Sequence, residues 1–96
     1  MNPSRVRRDR LKELTDLPNV GPQIASALFR IGIDRPVDLV GRERFEMYQA
    51  LCKIDGVRHD PCVLDVFISL ERFMAGEEPR VWWTFTGERK SSYPNI

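Results

Sequence analysis

Two stretches of the chain carry residue types at spacings that could do chemistry. The first is Pro18-Asn19-Val20-Gly21-Pro22-Gln23. Asn and Gly tolerate positive φ, so a tight turn can form here around one inward-pointing valine. Pro22 suits the first position of a helix, where its missing N–H costs nothing. A helix N-terminus presents unpaired backbone N–H groups and the positive end of a dipole. With no Cβ at Gly21, a phosphate could approach the N–H groups of Gly21, Gln23 and Ile24, which would bind it without reading a base. The second stretch is Cys52-x6-His59-x2-Cys62. Two thiols and an imidazole are zinc-ligand types, but the spacing matches no familiar zinc pattern, and the fourth candidate, Asp60, is wanted as a helix cap. The expectation is therefore two buried reduced thiols, an exposed histidine and no metal, with a regulatory disulfide or a metal site as the alternatives. No Ser-His-Asp set, Gly-rich nucleotide loop or distinct carboxylate cluster stands out. A non-enzymatic chain without a cofactor is expected.

These stretches need helices to position them. Leu11, Leu14 and Leu17 recur every three residues and suggest a short first helix. Ile24, Ala25, Leu28 and Phe29 make one face of a second, which Gly32 stops. Pro36 opens a short connecting turn with Val37, Leu39 and Val40, broken by Gly41. Phe45, Tyr48, Leu51 and Cys52 fit a third long helix ending near Ile54. Asp60-Pro61 is a strong helix start, and Val63, Val66, Phe67, Leu70, Phe73 and Met74 form an inner stripe that should end before Gly76. The remainder, "EEPRVWWTFTGERKSSYPNI", lacks a helical period and reads as extended. Trp82, Trp83 and Phe85 are too apolar to leave in water, so this tail should fold back on the helices, with one tryptophan inward and the other outward. The architecture expected is all-α: a basic segment over residues 1–10, a helical domain over 11–78, and an extended tail over 79–96.

The 96 residues bear a net charge of +1, unevenly spread. Residues 1–35 hold seven Lys/Arg against four Asp/Glu, whereas residues 36–96 hold eight against ten. The excess lies in Arg5, Arg7, Arg8, Arg10 and Lys12, a pattern that could touch nucleic acid or be a solvated terminus. No apolar run approaches the ~18 residues of a membrane span. The basic start lacks the apolar stretch of a secretory signal, so a cytoplasmic protein is expected. One internal repeat matters. "LTDLPNVG" (Leu14–Gly21) aligns with "LCKIDGVR" (Leu51–Arg58) at an offset of 37, pairing Leu14 with Leu51, Leu17 with Ile54 and Val20 with Val57.

The pattern LxxLPNVGPxxA resembles a helix-hairpin-helix motif. Val20 corresponds to the residue that locks the hairpin into the core, Gly21 to the second glycine, and Ala25 to the small residue that lets the helices approach. Asn19 replaces the first glycine. In the second copy Gly56 keeps the first glycine and Arg58 replaces the second. Two copies would resemble the double helix-hairpin-helix domain, a SAM-like bundle of about five helices. The resemblance implies binding of double-stranded or branched DNA, independent of sequence, through Asn19, Val20, Gly21, Gln23, Ile24, Gly56 and Arg58; the basic excess at Arg5, Arg7 and Arg8, read from charge alone, would support it. It also implies a monovalent cation held by hairpin carbonyls. Gln23 departs from the Lys or Arg that many DNA-binding copies carry there. The blocks "LPNVGP", "DGVRHDPCVLDVF" and "WWTFTGERK" together resemble the pathogenicity-locus family, small bacterial proteins often labelled mitomycin-resistance proteins. The hairpin block is also similar to the C-terminal domain of TfoX-type competence regulators. A protein-interaction adaptor on the same scaffold is the alternative function.

Overall fold

The computed structural model of the protein describes residues 2–96. These residues form four α-helices joined by short 3-10 turns, with no strand among them. In chain order the helices are α1 (Pro22–Arg30), α2 (Arg44–Asp55), α3 (Pro61–Met74) and α4 (Thr86–Ser92). The turns lie at Pro3–Arg5, Arg8–Arg10, Leu14–Asp16, Pro36–Leu39 and Trp82–Phe85.

α3 is the axis of the molecule. Every residue from Leu64 to Leu70 is buried, and α2, α4 and the Trp82–Phe85 turn pack around it. A helix apolar on nearly all sides has no other stable place. Its start is built as Asp60-Pro61 implied: the Asp60 carboxylate accepts the N–H of Cys62 at 2.8 Å, and Pro61 takes the first position. Its end is closed from outside. Arg8 donates to the carbonyls of Phe73 and Glu77, both at 2.7 Å, and lies 3.9 Å over the Phe73 ring. A cation is favoured at the negative end of a helix dipole. The two polar residues inside α3 are satisfied. Asp65 accepts from Arg89 Nε at 2.9 Å and Thr86 Oγ1 at 2.7 Å, and Ser69 donates to the Val66 carbonyl at 2.6 Å.

Three expectations differ from this fold. The Leu11–Leu17 segment holds only the Leu14–Asp16 turn. Pro18 disfavours helix in the residue before it, and Asp16 Oδ2 accepts the N–H groups of Lys12 and Glu13, which closes a local turn instead. The inner face of α1 is Ile24, Ala27 and Leu28, continued by Ile31, while Phe29 is exposed. The tail is not extended. It forms the Trp82–Phe85 turn and α4, because Thr86 and Arg89 both bind the buried Asp65. Phe85 is buried, Trp82 half-buried and Trp83 exposed, so the tail does fold back with one tryptophan on each side.

Candidate nucleic-acid interface

The turn into α1 is locked to the interior. Leu17, Pro18 and Val20 are buried. Asn19 adopts φ 66°, the only left-handed non-glycine among the described residues. Its side chain explains the choice of Asn over Gly. The amide nitrogen donates to Ser69 Oγ at 3.1 Å and to the Arg80 carbonyl at 2.8 Å, and the oxygen accepts the Trp82 N–H at 3.2 Å. Asn19 therefore faces α3 and the tail, and its side chain is not available to a phosphate. Val20 is likewise interior and acts only by holding the turn.

Gly21 is different. It is exposed at an ordinary φ of −96°, and a Cβ added there would meet nothing within 4 Å. No side chain caps α1, whose first internal bond runs from the Ala25 N–H to the Gly21 carbonyl at 2.9 Å. The N–H groups of Gln23 and Ile24 thus lie in the uncapped first turn.

The turn into α3 shares one backbone feature with it. Gly56 has φ 67° and stands where Asn19 stands in the repeat. The similarity ends there. Val20 is 1% exposed and Val57 is 55% exposed, and Leu17 is buried where Ile54 is exposed. The reason is chain length. One residue, Gly21, separates Val20 from α1, whereas Arg58, His59 and Asp60 separate Val57 from α3. Arg58 Nη2 donates to the Asn95 carbonyl at 2.6 Å, which ties it to the C-terminus rather than to a phosphate-binding turn.

His59 and its neighbours were not read as a unit in the sequence. Arg30 reaches both oxygens of Asp55 at 2.9 Å, and His59 Nε2 lies 2.7 Å from Asp55 Oδ2. The Arg30 guanidinium, with His59 behind it, holds the Asp55 carboxyl below its usual range. Arg30 lies 25 residues from Asp55, which no local spacing could have shown, whereas the Asp55–His59 pair at i,i+4 was open to a sequence reading. Arg30 and His59 also line a groove of about 460 Å³, together with Gln23 and Ile24 of α1 and Val63 of α3. The first turns of α1 and α3 thus both contribute to the groove; α1 is uncapped, while Asp60 caps α3. Cys52 and Cys62 are half-buried free thiols. Cys52 Sγ accepts the His59 N–H at 3.4 Å, and burial pushes the Cys62 thiol up. Among the described residues no three His, Cys, Asp or Glu side chains are grouped to hold a metal ion.

The basic N-terminal residues divide. Arg8 is spent on the end of α3. Arg5 and Arg7 line a shallow depression of about 330 Å³ together with Arg10, Lys12 and Asp16. No helix among the described residues is long and apolar enough to cross a membrane.

Comparison with known proteins places the chain, though not its site geometry, in a family. The chain is 40% identical over 78 residues to the mitomycin resistance protein McrB of Streptomyces lavendulae, covering 81% of this chain and 74% of that protein. No solved structure matches it. The family described as pathogenicity locus matches residues 7–91. With the match spanning nearly the whole fold, the chain belongs to the pathogenicity-locus family.

Proposed function

We propose that the protein is a non-enzymatic DNA-binding module of the bacterial cytoplasm, and that it holds the phosphate backbone through a helix-hairpin-helix-like turn. One observation carries this reading: α1 begins at an exposed glycine with open space where a side chain would be, and no side chain caps it. The contacting groups are the N–H groups of Gly21, Gln23 and Ile24. Asn19 and Val20 position them, and Gly56 and Arg58 belong to a turn with other work. Backbone amides on phosphates carry no base information, so binding is independent of sequence.

The test is titration of random-sequence duplex and of a four-way junction at low salt. Wild type is expected to bind both without sequence preference. Gln23→Lys adds one charge at the site and is expected to tighten binding, with log K against log salt steeper by about 0.9. If neither protein binds either DNA, the reading fails. The second reading, a protein-interaction adaptor, then takes over. It is favoured by the exposed apolar side chains Phe29, Val40 and Trp83.

A further inference from the structure

Residues 5–12 hold five cations and one carboxylate. Elsewhere most of the arginines are neutralised: Arg30 by Asp55, Arg42 by Glu46, Arg44 and Arg72 by Glu88, and Arg89 by Asp65. In the N-terminal segment this stops. Arg5, Arg10 and Lys12 make no ion pair among the described residues, and Arg7 has only a 3.7 Å approach to the exposed Asp9. Yet the segment is fixed. Arg8 bolts it to the end of α3, and Asp16 holds the backbone at Lys12 and Glu13. The result is four cations round one open depression, with Asp16 the one carboxylate in its lining.

Like charges gathered in excess of their counter-ions repel, and a bridging anion relieves the repulsion. We propose that Arg5, Arg7, Arg10 and Lys12 form a second phosphate-binding site that holds successive phosphodiesters of a nucleic-acid backbone. The lining holds no aromatic side chain on which a base could stack, so the ligand is the backbone rather than a single nucleotide. In the chain the segment runs up to the Leu14–Asp16 turn, whose Asp16 also lines the depression. Arg8 is a positioning residue here.

The partner rests on the DNA reading above, but the site is separable from the α1 turn. The experiment compares wild type, the triple variant Arg7→Gln/Arg10→Gln/Lys12→Gln, a charge-matched control Arg35→Gln/Lys53→Gln/Lys90→Gln, and Gly21→Val. Each is titrated with a 16-base-pair random duplex at several salt concentrations, and each has its melting temperature checked. The substituted side chains are exposed, so folding should be preserved. The salt slope of the cluster variant is expected to be shallower than wild type by about 2.7, three phosphate contacts at about 0.9 each. The control should change by less than one. Equal changes in cluster variant and control overturn the proposal, because net charge would then suffice. An unchanged cluster slope with binding lost in folded Gly21→Val overturns the proposal and leaves the α1 reading standing. Binding lost in the cluster variant but kept in Gly21→Val supports the site and removes the α1 turn from the interface. Tighter binding to phosphatidylserine-containing vesicles than to duplex overturns nucleic acid as the partner.

Discussion

The turns into α1 and α3 start alike and finish apart. Each has a residue near φ 66° followed by valine. In the first, the helix begins almost at once, so the valine is driven under it and the helix end stays bare. In the second, two further residues intervene, the valine swings out, and an aspartate closes the helix end. Two residues of loop thus separate a turn that can offer amides to an anion from one that shields them with a carboxylate. A phosphate meeting α3 would face like charge, while at α1 it would meet only N–H groups and a helix dipole.

The sharpest way to break this contrast is a buried charge. Val20→Asp is expected to cost about 4 kcal/mol or more, since a carboxylate would enter the core without a partner. Val57→Asp should stay within about 0.5 kcal/mol. Urea unfolding of both variants gives the comparison, and similar losses would mean that the two valines do the same job. Next in size is the left-handed residue itself. Asn19→Gly keeps the backbone free but removes three hydrogen bonds, for a loss of about 2–3 kcal/mol at roughly 1 kcal/mol each. Gly56→Asn should cost only a few tenths, because Asn tolerates this φ and no side-chain contacts are lost.

The Asp60 cap gives a pH signature. Its carboxyl is held below the ordinary carboxylate value, chiefly by the Cys62 backbone N–H. The folded value is therefore depressed. Its stabilisation is complete above the unfolded value of about 3.9 and is lost as pH falls through the folded one. Thermal melts of wild type and Asp60→Ala should differ at neutral pH and converge at strongly acidic pH. A gap that persists in acid would show that Asp60 acts through something other than its charge. The smallest effect is on binding. Asp60→Asn removes the charge that guards α3, and duplex affinity at low salt should rise by about two- to five-fold. A fall would mean that the carboxylate takes part in the interface.

What could be read in the sequence had local causes. Pro22 and Asp60-Pro61 mark helix starts because a missing N–H and a side-chain acceptor act within a few residues. The inward Val20 and the left-handed Asn19 followed from turn chemistry. What escaped depended on distant partners. The tail looked extended because its helix is held by Asp65, 21 and 24 residues earlier. Phe29 is apolar at a plausible helical position, yet Ala27 takes the inner place and the larger ring stays outside. Val57 looked like Val20 because pairing two short strings ignored the extra residues before α3. Within the candidate interface, Gly21 and Gln23 were legible. That Asn19 is turned inward and Arg8 is bound to α3 was not, since their partners lie 50 or more residues away.

The inward side chain of Asn19 also sets the order in which the molecule can be assembled. Its hydrogen bonds reach 50, 61 and 63 residues down the chain, and those of Arg8 reach 65 and 69. During synthesis α2 and α3 can pair as soon as they emerge, because their contacts are local. The first turn must wait until Arg80 and Trp82 have left the ribosome, and closing so long a loop carries an entropic cost before any bond repays it. The bare end of α1 is thus made before α2 and α3 and is among the last segments to be fixed in place. A nascent chain stopped before Arg80 would carry the phosphate-facing amides without the latch that aims them.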